Sequence, residues 1–162
     1  MRKKGQIQLS FGVIFSIIIV IATLAVAGYV LIKFVSIGKD ATCKIFYSNL
    51  QSKIDNAWNE DVSSDVYTYE LPKEIEKVCF GNHTAVITDN KDRDAYNKIK
   101  EKARAESNMA FYPLDKVCKD STFTYQLKHV KINEFFCVPV LNGEASVKII
   151  KESREALVKI AR

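Results

Sequence analysis

One long apolar stretch near the start of the sequence constrains the fold more than any other feature. It runs from Phe11 to Ile32 without a single charged residue. About 20 apolar residues in an α-helix, rising about 1.5 Å per residue, are enough to cross the hydrocarbon core of a bilayer. Lys33 follows directly, and its long side chain can reach the membrane interface. The sequence therefore predicts a membrane-associated helix followed by a folded domain.

Basic residues on one side of this stretch predict its orientation. Arg2, Lys3 and Lys4 come directly before the apolar residues. Basic residues that flank a membrane helix remain preferentially on the cytoplasmic side. We therefore expect a single-pass cell-membrane protein with its N-terminus in the cytoplasm and its C-terminal domain outside the cell.

The formal net charge of +5 comes mainly from this N-terminal part of the chain. From Lys39 onward, 20 basic residues are balanced by 19 acidic residues. Such a balance provides no positive surface of the kind that binds nucleic acid. We therefore expect the basic residues to act at the membrane and not to bind nucleic acid.

Three interpretations of the apolar segment compete. A cleaved secretory signal peptide is one, because Ala25-Val26-Ala27 is similar to a small-residue cleavage site, although apolar residues continue beyond it. An uncleaved signal-anchor is the second. The third depends on the order Lys3-Lys4-Gly5-Gln6, in which basic residues and a glycine precede the apolar stretch.

This order resembles the class III signal peptide of archaeal type IV pilin-like proteins. The resemblance implies that a prepilin-type peptidase cuts between Gly5 and Gln6 and leaves the apolar helix on the mature chain. It also implies three parts: a basic leader (1–5), a transmembrane and filament-core helix (6–38) and an extracytoplasmic head domain (39–162). One position departs from the pattern, because many members have Glu where this chain has Ser10.

The helical pattern continues beyond the apolar stretch. Apolar residues recur at helical spacing on one stripe after Asp40, and they are Cys43, Phe46 or Tyr47, Leu50, Ile54, Ala57 and Trp58. The pattern therefore predicts either one long helix that ends near Trp58 or two helices separated at Gly38.

The pattern changes to that of β-strands after Glu60. Strand-like segments cover 66–71, 75–80, 84–88, 123–127, 135–141 and 145–150, and residues 157–160 fit either a last strand or the end of a helix. Asp92 is placed to cap a short helix, and Asn142-Gly143 predicts a β-hairpin. The predicted fold class is α+β, in which a long N-terminal helix packs on a small antiparallel sheet with one further short helix, as in pilins.

The four cysteines all follow the membrane segment and lack the close spacing of a zinc site. An even number of cysteines outside the cell favours two disulfides, although four free thiols remain an alternative. Three pairings are possible. We favour Cys79 with Cys137, because both lie in strand-like runs, and therefore Cys43 with Cys118.

Other candidate sites are few. Asn82-His83-Thr84 is an N-glycosylation sequon. The carboxylates between Asp89 and Asp94 favour helix capping over calcium binding, because the segment lacks the glycine and the distal glutamate of the usual calcium loop. We find no catalytic motif, and we expect no cofactor and no metal.

These observations favour a non-enzymatic pilin-like subunit that associates with itself or with other pilin-like subunits in an extracellular filament. The alternative is an uncleaved, membrane-tethered module that binds a partner outside the cell.

Overall fold

The structure is a computed structural model that describes residues 11–82, 85–87, 89–114, 118 and 124–162. Its architecture is α+β, which confirms the predicted fold class: a long N-terminal helix is followed by strands in two sheets and a short second helix. The chain divides between Gly38 and Lys39 into two compact units. We call the second unit, Lys39–Arg162, the head domain.

The first helix, α1, spans Phe11–Trp58 and continues through Gly38 without a break. Of the two alternatives left open by the sequence, one long helix is therefore the one observed. Within the head domain one side of α1 is completely buried, at Cys43, Phe46, Leu50 and Ile54. These residues follow the predicted stripe, and they pack against strands of both sheets in one hydrophobic core.

The remaining elements follow in chain order. They are β1 (Ser63–Glu70), β2 (Lys77–Phe80), β3 (Val86–Ile87), α2 (Arg93–Lys102), β4 (Met109–Tyr112), β5 (Thr124–Tyr125), β6 (Val130–Lys131), β7 (Glu134–Pro139), β8 (Glu144–Lys151) and β9 (Val158–Ala161). A four-stranded sheet has the order β1-β8-β9-β6, and a five-stranded sheet has the order β3-β7-β2-β4-β5. The prediction of one small antiparallel sheet was incomplete, because there are two sheets and the pairs β3–β7 and β6–β9 are parallel.

The hairpin predicted at Asn142-Gly143 is present only as a turn closed by one antiparallel bridge, Leu141 with Glu144. Asn142 and Gly143 both have positive φ, and Leu141 and Glu144 exchange two backbone hydrogen bonds. The strands on the two sides of this turn belong to different sheets. β7, before the turn, lies in the five-stranded sheet, and β8, after it, lies in the four-stranded sheet. The reason is burial: β7 is buried on both faces at its four central residues, whereas β8 alternates between buried and exposed residues.

A second, smaller core lies between α2 and the five-stranded sheet. It contains Ala95 and Ile99 from α2 together with Phe135, Ala110 and the Cys79–Cys137 pair. The five-stranded sheet is thus covered on both faces, whereas the four-stranded sheet exposes one face.

Capping of α2 differs from the prediction. Asp92 occupies the N-cap position, but its side chain makes no capping hydrogen bond. Asp89 caps instead the 3-10 turn at Asn90–Asp92, where its carboxylate accepts from the Lys91 amide. The Asp92 carboxylate is buried and instead accepts a hydrogen bond from the Cys137 amide on β7.

Candidate functional site

The membrane segment is the first functional feature that the structure describes. Within the described residues one helix segment, Phe11–Val35, is long and apolar enough to cross a membrane, with a mean hydropathy of 2.7. None of it is buried within the protein. A helix that is apolar on every side needs lipid or other apolar helices around it.

The polar groups inside this segment are satisfied locally. The Ser16 hydroxyl donates to the Gly12 carbonyl at 2.8 Å, and the Thr23 hydroxyl donates to the Val20 carbonyl at 2.9 Å. Neither hydroxyl therefore requires water, which lowers the cost of placing it in a hydrocarbon environment. The residues predicted to direct processing and orientation, Arg2, Lys3, Lys4, Gly5 and Gln6, lie outside the described residues.

The structure contains two disulfides, and their pairing is the one favoured from the sequence. Cys79 and Cys137 lie directly opposite each other on β2 and β7. Cys43 on α1 is bonded to Cys118. The first bridge joins neighbouring strands, and the second attaches α1 to the segment between β4 and β5.

Asn82, two residues after the end of β2, is exposed, as a glycosylation site requires. Its carbonyl accepts a hydrogen bond from the Ala85 amide. The preceding Gly81 has a φ of +132°, and a Cβ there would lie 2.9 Å from the Phe135 Cα. The other two residues of the sequon, His83 and Thr84, lie outside the described residues.

Asp92 is the centre of a buried ionic network that the sequence did not reveal. Its Oδ2 accepts from the Cys137 amide at 2.9 Å and from Arg162 at 2.6 Å, and its Oδ1 accepts from Lys77 at 3.1 Å. The carboxylate is only 5 % exposed. These contacts join the start of α2 to β2, to β7 and to the residue after β9.

The other carboxylates of the same segment also have cationic partners. Asp94 accepts hydrogen bonds from Tyr112 and forms an ion pair with Lys98, and the Tyr112 hydroxyl is the main cause that lowers the pKa of Asp94. Asp89 contacts Arg162 at 3.3 Å. Each carboxylate of this segment therefore has a cationic side chain as partner, and Arg162 is shared by Asp89 and Asp92.

A second polar cluster joins the end of α1 to two loops. The rings of Trp58 and His129 are stacked, with centroids 4.0 Å apart, and His129 Nδ1 lies 2.9 Å from Asp55 Oδ1. Burial acts to raise the pKa of Asp55, but hydrogen bonds from His129 and Gln51 outweigh it and lower the pKa. The Trp58 indole donates to the Ala156 carbonyl. These contacts fix α1 to the loops before β6 and β9.

Tyr67 on β1 has a buried hydroxyl that makes no hydrogen bond with the described residues. Burial, with a smaller effect from the neighbouring Tyr69, raises the pKa of Tyr67 to about 12. The side chain of Asn49 on α1 offsets part of this rise. Nothing in the sequence indicates this group, because tyrosine in a strand is ordinarily part of the core.

The head domain has shallow polar clefts. One, of about 530 Å³, is lined by Thr42, Thr68, Tyr69, Glu70 and Glu144. Two smaller clefts lie beside α2, at Arg104–Ser107 with β5 and at Lys98–Lys102 with the end of β4. Among the described residues, no group of three or more His, Cys, Asp or Glu side chains is placed to hold a metal ion.

Comparison with family models, with curated proteins and with solved structures finds no match to this chain. Functional inference therefore depends on the chain's own residues.

Proposed function

We propose that this chain is a non-enzymatic, pilin-like subunit, anchored in the cell membrane by its N-terminal helix and assembled into an extracellular filament. Its N-terminus is cytoplasmic, and the head domain faces the outside. A prepilin-type peptidase removes residues 1–5, and the new N-terminus is Gln6. The partners are then the membrane, the peptidase and other pilin-like subunits, which include copies of this chain.

One observation carries the proposal: a single helix has two different surroundings along its length. From Phe11 to Val35, α1 is apolar on every side and unburied. From Cys43 to Ala57, the same helix buries one stripe in the core of the head domain. A subunit whose anchor later becomes the core of a filament needs such a helix, because the apolar part must be able to exchange lipid for neighbouring helices.

The compartment of the head domain is supported by its disulfides. Disulfides persist mainly in oxidising surroundings, which agrees with a location outside the cell. The basic residues before the apolar segment favour the same orientation.

The mature N-terminus provides the test. Mass spectrometry of the chain from native membranes should give a mass that begins at Gln6, either free or cyclised. Gly5→Leu should abolish this cleavage. Gly28→Leu is the matched control, because a Cβ at Gly28 meets nothing within 4 Å and the position lies within the apolar segment.

A retained Met1 would contradict the processing step and would favour the tethered binding module. Filament assembly is tested separately, by shearing intact cells. If the sheared fraction contains no chain and all of it remains in the membrane pellet, the filament part of the proposal is wrong even where cleavage occurs.

A further inference from the structure

The first observation concerns the edge of the four-stranded sheet. β1 is the outermost strand, and in the described part of the chain it pairs with β8 alone. The other three outer strands, β3, β5 and β6, have two residues each, whereas β1 has eight. Its sequence contains no lysine, proline or glycine, which are residues that often protect an edge from pairing. A long, regular edge of this kind is a template for an added strand.

The backbone of β1 shows which of its groups face away from β8, and one of these donors already has a partner on β1 that an added strand would have to displace. The Val66 amide donates to the Asp65 carboxylate at 2.9 Å, and therefore not to a carbonyl of β8. In an antiparallel strand, the N–H and C=O of one residue point to the same side, and successive residues alternate. The backbone groups of Ser64, Val66, Thr68 and Glu70 therefore face away from β8.

A groove follows the same edge. The cleft of about 530 Å³ lies between Thr42 on α1 and the last three residues of β1. Ile45, three residues further along α1 and thus on the same side of the helix, is 47 % exposed. The edge is thus bordered by an exposed apolar side chain.

Charge determines which occupant fits. Glu70 and Glu144 lie directly opposite each other in the β1–β8 ladder, and both line the cleft. Like charges in this position repel, and neither glutamate has an ion pair in the described part of the chain. Asp65, the other charged residue of β1, already forms an ion pair with Lys53, and a second copy of β1 would bring further carboxylates to this edge. A basic strand would neutralise them.

We propose that the free edge of β1 binds an extended, basic segment of a partner protein as an added β-strand. The partner's backbone pairs with Ser64, Val66 and Thr68, and its basic side chains contact Glu70 and Glu144. Main-chain hydrogen bonds provide affinity in this mode of recognition, and side chains on alternate positions provide specificity. The inference does not depend on cleavage after Gly5 or on filament assembly.

The test uses the full chain, isotope-labelled, in detergent micelles. The probe is a blocked eight-residue peptide of alternating threonine and lysine, titrated to millimolar concentration. We expect its binding to shift the backbone amide resonances of 64–70 and to slow hydrogen exchange at the Val66 amide. A peptide of the same sequence, N-methylated at alternate amides, is the matched control, because it keeps the charge and loses the donors. It should bind at least about tenfold more weakly.

Variants of the chain test the same surface. Val66→Pro removes an N–H that is not part of the β1–β8 ladder, and proline is tolerated on edge strands. We expect at least an about tenfold loss of affinity for the peptide, whereas Val66→Thr, which keeps the N–H, should bind as the original chain does. Replacing Glu70 and Glu144 together by Gln should weaken binding and reduce its dependence on salt.

Three results would overturn the proposal. Equal binding of the N-methylated peptide would show attraction by charge alone, without strand addition. The absence of shifts in 64–70 at the highest peptide concentration would show that the edge does not bind such a segment. A dimer in sedimentation experiments that Val66→Pro abolishes would show that a second copy occupies the edge. If Val66→Pro fails to fold, the N-methylated peptide and the glutamine variant still decide between these results.

Discussion

A single carboxylate, that of Asp92, connects segments that are far apart in the sequence. Its partners Lys77, Cys137 and Arg162 are 15, 45 and 70 residues away. A buried carboxylate is costly unless hydrogen bonds and opposite charges compensate for its lost hydration, and here both are present. We therefore infer that Asp92 holds α2 and the end of the chain against β7.

Replacing Asp92 tests this role. Asp92→Ala leaves the Cys137 amide and the Lys77 ammonium without their partner, and we expect it to lower the free energy of unfolding by about 2–4 kcal/mol. Lys77 and Arg162 remain partly hydrated, which keeps the loss below that of a fully buried pair. Asp92→Asn should cost less than Asp92→Ala, because its amide oxygen can still accept from the Cys137 amide.

Urea denaturation of the full chain in detergent, followed by near-ultraviolet circular dichroism, measures these losses. Asp94→Ala is the control, because Asp94 is a neighbouring carboxylate whose ion pair with Lys98 is exposed. It should leave stability unchanged. Equal effects of Asp92→Ala and Asp94→Ala would show that burial of the network contributes nothing.

The sequence predicted local features of single residues better than distant contacts. The burial of Cys43 and Phe46 follows from helical spacing, and the cysteine pairing follows from the two cysteines that lie in strand-like runs. The role of Asp92 could not be predicted, because an aspartate before a helix ordinarily caps it. Only the three-dimensional approach of β7 gives its carboxylate a better donor in the Cys137 amide.

At the scale of elements, the long helix was predictable and the sheets were not. The unbroken apolar stretch up to Val35 and the helical spacing from Cys43 onward each predict a helix, and the structure joins them through Gly38, which was one of the two alternatives. The turn at Asn142-Gly143 was also predictable, because both residues tolerate positive φ. Which sheet each flanking strand joins depends on what covers its two faces, and no local pattern contains this information.

The packing of α1 on the sheets provides a prediction with adjacent residues as test and control. Phe46 is completely buried against the rings of Phe111, Tyr67 and Tyr69, whereas the next residue back, Ile45, is exposed. Phe46→Ala should lower the free energy of unfolding by about 3–5 kcal/mol, because it leaves a cavity in the core. Ile45→Ala should change it by less than about 0.5 kcal/mol.

Thermal unfolding of the two variants, followed by circular dichroism, measures both effects. Similar midpoints for Phe46→Ala and Ile45→Ala would show that α1 does not contribute its Phe46 side to the core of the head domain.

At the scale of the whole molecule, every buried apolar residue among those that the structure describes lies in one unit. Both hydrophobic clusters, both disulfides and the Asp92 network lie within Lys39–Arg162. The apolar segment Phe11–Val35 contributes nothing to these cores, because none of it is buried. We therefore expect the N-terminal unit to require a membrane or neighbouring helices, and the head domain to contain what is needed for folding.

We therefore predict that residues 39–162, produced under oxidising conditions, fold alone into a soluble monomer with one cooperative thermal transition. The full chain should require detergent to remain in solution, because its unburied apolar helix needs an apolar environment. A fragment that begins at Asn59, with Cys118→Ser to avoid a free thiol, is the control, since it lacks the buried side of α1 and should not fold cooperatively. Sedimentation velocity and circular dichroism distinguish these outcomes. If 39–162 aggregates or melts without a transition, the membrane segment is needed for folding and the division of roles is wrong.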